Sequence, residues 1–230
     1  MRIINRKKTK ITWLQVVVHV LGWLPLAWIF YAYFAGRLSI NPIQDIEQKL
    51  GDFGVYFLVA TLACTPLDTV FGWKEFLKRR RALGLYAFLY LSLHVTVFVL
   101  LDYGFNLSQV FTLVFQKLYL IVGTLALLLL IPLAITSFDY FIRRMGKNWK
   151  RLHWLIYPAV IVSLLHYALA QKGDLFTLRG NIIKPFLLGI LTILLLVLRI
   201  PSVRRWVIGI RRKLSSRGYA IPRGKKVNPG

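Results

Sequence analysis

The feature that most constrains this chain is a succession of apolar runs, each about as long as a membrane is thick. They lie near residues 11–34, 53–70, 83–101, 118–138, 151–170 and 183–200, with almost no charge in their interiors. About 20 apolar residues of helix cross the hydrocarbon core of a bilayer, and soluble domains seldom repeat such runs. The basic residues are distributed unevenly between them. Of 31 Lys and Arg, 25 lie in the segment before residue 11, in the second and fourth loops, and in the tail counted from Arg199. Cytoplasmic loops carry such an excess. Spacing and charge together therefore predict an all-α integral membrane protein, a six-transmembrane-helix bundle with both termini cytoplasmic. Its expected parts are a basic cytoplasmic head over 1–10, a transmembrane domain over 11–200 and a basic cytoplasmic tail over 201–230.

A formal charge of +23 could by itself suggest a nucleic-acid partner. Its confinement to alternate loops argues against nucleic acid and for anionic membrane lipid at the cytoplasmic surface. The first apolar run continues past Leu21 to Phe34 without a small-residue cleavage site, so it reads as a retained span rather than a signal peptide. Cys64 is the single cysteine, which excludes an internal disulfide and a c-type haem attachment motif. No internal repeat is visible in the letters. Nor is there a GxGxxG fingerprint or a P-loop, so a nicotinamide is not expected on this chain.

Histidines inside apolar runs are costly and mark candidate sites. His94 follows Arg81 by 13 residues in the third run, and His166 follows Arg151 by 15 in the fifth. At 1.5 Å per helical residue both lie roughly 20 Å from the basic rim. Two imidazoles at one depth on parallel helices could hold one haem iron from opposite faces, or simply bond neighbouring helices. His153 sits near the inner rim beside Arg151 and Trp154, and His19 lies in the inner half of the first run. These two, with Arg80, Arg81 and Arg151, form a candidate second cofactor or quinone site. Arginine suits a phosphate or propionate. The plain alternatives are an interfacial histidine, an interhelical bond and topology-setting arginines. Tyr86, Phe88, Tyr90, Phe98, Trp154, Tyr157 and Tyr167 suit the walls of a flat cofactor or ordinary packing.

The segments ITWLQVVVHVLGWLPLAW, NPIQDIEQKLG, LVATLACTPLD, RRALGLYAFLYLSLH and KNWKRLHWLIYPAVIVSLLHY, in this order, carry a resemblance over residues 11–198. The chain resembles the MsrQ (YedZ) family of haem-binding membrane subunits, within the wider ferric-reductase-like transmembrane group. The resemblance implies a b-type haem protein of the bacterial inner membrane. It would pass electrons from the quinone pool, or from a flavin reductase, to a periplasmic molybdopterin-containing MsrP-like reductase. That partner, rather than this chain, would reduce methionine sulfoxide in proteins. The family is also associated with FMN. Members of the wider group carry two histidines on each of helices three and five. Here the third helix has only His94, with Arg80 and Arg81 where an earlier one would fall, so His94 and His166 make the complete pair.

Two rival classes remain open from sequence. One is a non-redox transporter or assembly factor using its histidines as proton relays, though paired intramembrane carboxylates and an inverted repeat are missing. The other is a quinol-linked di-haem cytochrome b serving a different partner.

Overall fold

The computed structural model describes residues 12–171, 173–174, 179–180 and 182–217; the basic head over 1–10 and the end of the tail over 218–230 lie outside them. The first helix, α1 (Trp13–Phe34), contains Pro25. The second, α2 (Pro42–Phe71), opens on Asn41, whose side chain accepts the Gln44 amide at 3.3 Å, with Pro42 in the first turn. It ends at Gly72, whose φ of 75° suits glycine in a left-handed cap. The sequence predicts a separate amphipathic piece over 43–50 before a span from Phe53. The structure instead has one unbroken helix of 30 residues. Leu50 is buried in one cluster with Tyr86 and Tyr90 of α3, so tertiary packing carries the helix across the polar stretch.

Helix α3 (Lys74–Val97) continues through a π turn over Phe98–Asp102. The uncharged connection after it holds a further helix, α4 (Leu107–Gln116), capped by the Asn106 side chain on Gln109 N at 3.1 Å. Next come α5 (Leu118–Ile135), two short helices α6 (Asp139–Met145) and α7 (Lys147–Leu152), a 3-10 turn over His153–Leu155, and α8 (Ile156–Ala170). A two-residue antiparallel pair, Gly173–Asp174 with Arg179–Gly180, precedes α9 (Ile183–Val197) and α10 (Pro201–Arg217). Among the described residues five helical spans are long and apolar enough to cross a membrane. They number six if α9 and the start of α10, bent by 79°, count as one. The chain is a multi-pass membrane protein of all-α architecture. The sixth run is shorter than its letters suggest, because Pro201 opens a new helix in a new direction.

Helix α2 packs along α3, and α5 along α8; α3 touches α5, and α9 lies against α2 and α8. Their shared core holds Leu58, Leu62, Ala87, Leu130, Ala159 and Val160. A second cluster, with Val18, Ile29, Tyr86 and Tyr90, attaches α1 to α3. The basic loops gather at one end of the bundle. Arg79 at the start of α3 donates to Thr12 Oγ1 at 3.1 Å, Arg81 pairs with Asp139 of α6, and Arg211 of α10 bonds the last turn of α2.

Proline removes a helical donor, and in hydrocarbon the freed group needs another partner. Pro66 frees the Leu62 carbonyl, and Arg199 Nη2 fills the vacancy at 2.7 Å. Beside Pro25, the Tyr90 hydroxyl enters the α1 ladder, donating to the Gly22 carbonyl at 2.8 Å and accepting from Leu26 N at 3.2 Å. The α2–α3 pair is just as tight. A Cβ on Gly54 would lie 2.6 Å from Leu91 Cγ and 3.3 Å from its amide nitrogen, so side-chain motion alone cannot relieve it. Gly54→Ala is expected to cost about 1–3 kcal/mol, read as a lower thermal midpoint of the detergent-purified protein. Gly189→Ala, which meets nothing within 4 Å, should leave the midpoint unchanged or raised.

Candidate functional site

Helices α3 and α8 bring His94 and His166 opposite one another, with ring centres 6.3 Å apart and planes 69° from parallel. Each ring is held from behind by a helix other than its own. The Nδ1–H of His94 donates to the Glu47 carbonyl of α2 at 2.9 Å, and that of His166 to the Tyr119 carbonyl of α5 at 2.7 Å. A carbonyl can only accept, so both bonds put the proton on Nδ1 and leave Nε2 with a free lone pair. With a metal–imidazole bond of about 2 Å and a ring nitrogen about 1.1 Å from its ring centre, two ligands on opposite sides of one ion have centres about 6 Å apart. The observed separation meets that requirement.

The two seats share one construction. A Cβ on Gly51 would lie 3.3 Å from His94 Nδ1, and one on Gly123 would lie 2.7 Å from His166 Nδ1. In both cases the glycine stands one turn after the accepting carbonyl and leaves room for the ring. The carbonyl, glycine and histidine positions each recur 72 residues later: 47 and 119, 51 and 123, 94 and 166. The α2–α3 and α5–α8 pairs therefore build their seats at one common spacing. Gly51, Gly123 and Tyr119 escape a reading based on residue type. The equal 43-residue spacing from glycine to histidine was the available signal.

A cavity of about 820 Å³ lies around the pair. Val55, Leu91 and Leu130 form apolar wall, and Phe98 and Tyr167 are the members of the expected aromatic set that line it. At the end away from the basic loops it turns polar, with Glu47, Asp52 and Asp102; Lys184 approaches Asp52 at 3.8 Å. The other expected aromatics serve elsewhere. Tyr86 bonds His19, Tyr90 braces α1, Phe88 packs in the core, Tyr157 accepts from Arg199, and Trp154 is exposed.

The residues of the candidate second site are only partly brought together. His153 stacks on Trp149, ring centres 3.9 Å apart, and its Nδ1–H donates to the Trp149 carbonyl at 3.1 Å. Arg80 lies within electrostatic range of His153, Tyr157 and Arg199. His19 instead meets Tyr86 on the far side of α3, at 2.9 Å from its hydroxyl. Arg81 turns to Asp139, and Arg151 is exposed. By the 72-residue offset the counterpart of His153 is Arg81, so the pairing of the upper seats is not repeated at the basic end.

A helical bundle that spans a membrane and holds two facing imidazoles at one level defines the class to which this protein belongs. Residues 50–164 match the family described as "Ferric reductase like transmembrane component". The chain is 42% identical over 193 residues to the protein-methionine-sulfoxide reductase heme-binding subunit MsrQ of Rhodospirillum rubrum, covering 83% of this chain and 89% of that one. It is 36% identical over 161 residues to the MsrQ of Brucella anthropi and 37% to that of Brucella ovis, each covering 70% of this chain and 73% of the relative. No solved structure matches it. The chain belongs to the MsrQ family within the ferric-reductase-like transmembrane group.

The two glycine seats differ in clearance, which sets an expectation. Gly123→Ala should drive the His166 ring off the Tyr119 carbonyl, whereas Gly51→Ala should need only a small displacement of His94. In ¹⁵N-histidine NMR of the metal-free protein, the hydrogen-bonded Nδ1–H signal of His166 should be lost in the first variant. That of His94 should persist in the second.

Proposed function

We propose that this protein is a haem b electron-transfer subunit of the bacterial inner membrane, with His94 and His166 as the residues that would hold the haem iron. The observation that carries the reading is the facing pair, both Nδ1 atoms tied back and ring centres at the separation that one shared ion requires. Among the described residues no group of three or more His, Cys, Asp or Glu could hold a metal ion. A porphyrin would supply the remaining ligands of an ion held between these imidazoles. The names of the relatives, which call them heme-binding subunits, support the same choice.

When bound, haem supplies one-electron chemistry at its iron. The residues of this chain do the rest. His94 and His166 would hold the group from both sides, and the carbonyls of Glu47 and Tyr119 fix their tautomers. Val55, Leu91 and Leu130 keep water from the centre of the cavity. Placing the basic end in the cytoplasm, as its charge favours, puts this centre toward the periplasmic side. There it could hand electrons to a molybdopterin-containing MsrP-like reductase that repairs methionine sulfoxide in proteins. Electrons would arrive from quinol, or from a flavin reductase. We assign that arrival to the basic end near His153 and Arg80, without His19, Arg81 or Arg151. FMN, which the family resemblance implies, would find its phosphate partner in the same arginine-rich region.

The test is a dithionite-reduced minus oxidised visible spectrum with haem quantified per chain. A low-spin b-type spectrum at one haem per chain is expected. It should be lost in His94→Ala and in His166→Ala and mostly kept in His153→Ala, which should slow reduction by quinol. A colourless protein after expression with ample haem would reject the reading.

A further inference from the structure

At the basic end α9 stops after 15 residues and the chain turns by 79° into α10. Arg204, Arg205, Arg211, Arg212 and Lys213 fall in the first 13 residues of α10, a density of charge that hydrocarbon does not admit. Nor does the helix hang free. Arg211 Nη1 donates to the Asp68 and Thr69 carbonyls at 2.7 and 3.0 Å, capping the last turn of α2. The Arg211 guanidinium also packs on Gly72, where a Cβ would lie 3.1 Å from it. The helix thus lies crosswise under the bundle. Trp206, 67% exposed among arginines, gives it the composition of a helix resting in a membrane interface.

A shallow cavity of about 290 Å³ opens at the bend, lined by Arg199, Pro201, Arg204, Arg205 and Ile208. Arg199 commits both Nη atoms, one to the Leu62 carbonyl and one to the Tyr157 hydroxyl at 3.0 Å, yet its buried Nε has no hydrogen-bond partner. Neither Arg204 nor Arg205 has an ion pair among the described residues. Three guanidinium groups around one cavity repel unless an anion sits among them. Guanidinium pairs bidentately with phosphate. Leu194 and Val197 at the end of α9 and Ile200 in the turn after it are exposed three residues apart and supply an apolar track leading to the bend.

We propose that this bend is a binding site for an anionic phospholipid. Its headgroup phosphate sits between Arg204 and Arg205 with the positive charge of Arg199 behind, and an acyl chain follows Leu194, Val197 and Ile200. The chemistry is that of basic pockets beside membrane helices, which hold anionic headgroups. The bound lipid supplies the negative charge that the cavity lacks and ties α10 to its leaflet.

The experiment is native mass spectrometry of the full chain in detergent, titrated with dioleoyl phosphatidylglycerol and, separately, with dioleoyl phosphatidylcholine. One phosphatidylglycerol should be retained in preference to phosphatidylcholine. The Arg204→Gln/Arg205→Gln variant should weaken that retention on the order of tenfold or more, with helicity by circular dichroism unchanged. Arg212→Gln, which removes a charge from the same helix but not from the cavity, should bind as the wild type does. Equal retention of the two lipids would overturn the proposal, as would undiminished binding by the double variant. A loss as large in Arg212→Gln would reduce the site to diffuse attraction by a basic helix. Displacement by millimolar inorganic phosphate would make it a free-phosphate site instead.

Discussion

The arrangement depends on two hydrogen bonds that cross between helices, from His94 to the Glu47 carbonyl and from His166 to the Tyr119 carbonyl. Each uses a carbonyl one turn before a glycine, and each glycine removes the one side chain that would block the ring. Without the carbonyl, an imidazole is free to take either tautomer and to rotate about its side-chain bonds. With it, the ring has one orientation and presents one nitrogen to the cavity. The close packing of α2 on α3 and of α5 on α8 follows from the same need, because the seat works only when two helices approach to contact.

The prolines inside the helices show the same economy. Hydrocarbon offers no water, so a backbone group that proline frees needs a partner inside the protein. Arg199 answers the carbonyl left by Pro66, and Tyr90 enters the ladder beside Pro25. Both bonds join elements far apart in the chain, so the irregularities that proline introduces also become points of attachment. Arg199 itself lines the bend and keeps one buried donor, its Nε, without a partner.

Charge divides the molecule along its length. Arginines and lysines collect at one end, where Arg79, Arg81 and Arg211 stitch loops to helix ends. Three of the eight acidic residues line the opposite mouth of the cavity around the histidines. Such a separation orients a chain in a membrane. It also gives the two ends different surroundings, one rich in guanidinium donors and one in carboxylate acceptors.

Much of this was legible in the letters. The apolar runs required membrane helices, because their length matches hydrocarbon thickness whatever the packing. The matched distances of His94 and His166 from basic residues predicted a common level, because helical rise is constant. Element boundaries were less legible. The helix from Pro42 runs through a polar stretch because Leu50 finds a buried place, and the last span ends early because Pro201 redirects the chain. Only the tertiary structure decided which groups meet. It turned His19 to Tyr86 and Arg81 to Asp139 and left Arg151 exposed, since the face a residue shows depends on helix rotation as well as depth. It also revealed the repeated seat at 47, 51 and 94 and again at 119, 123 and 166. The accepting carbonyls of that repeat belong to the backbone, which every residue type shares, so no letter marks them.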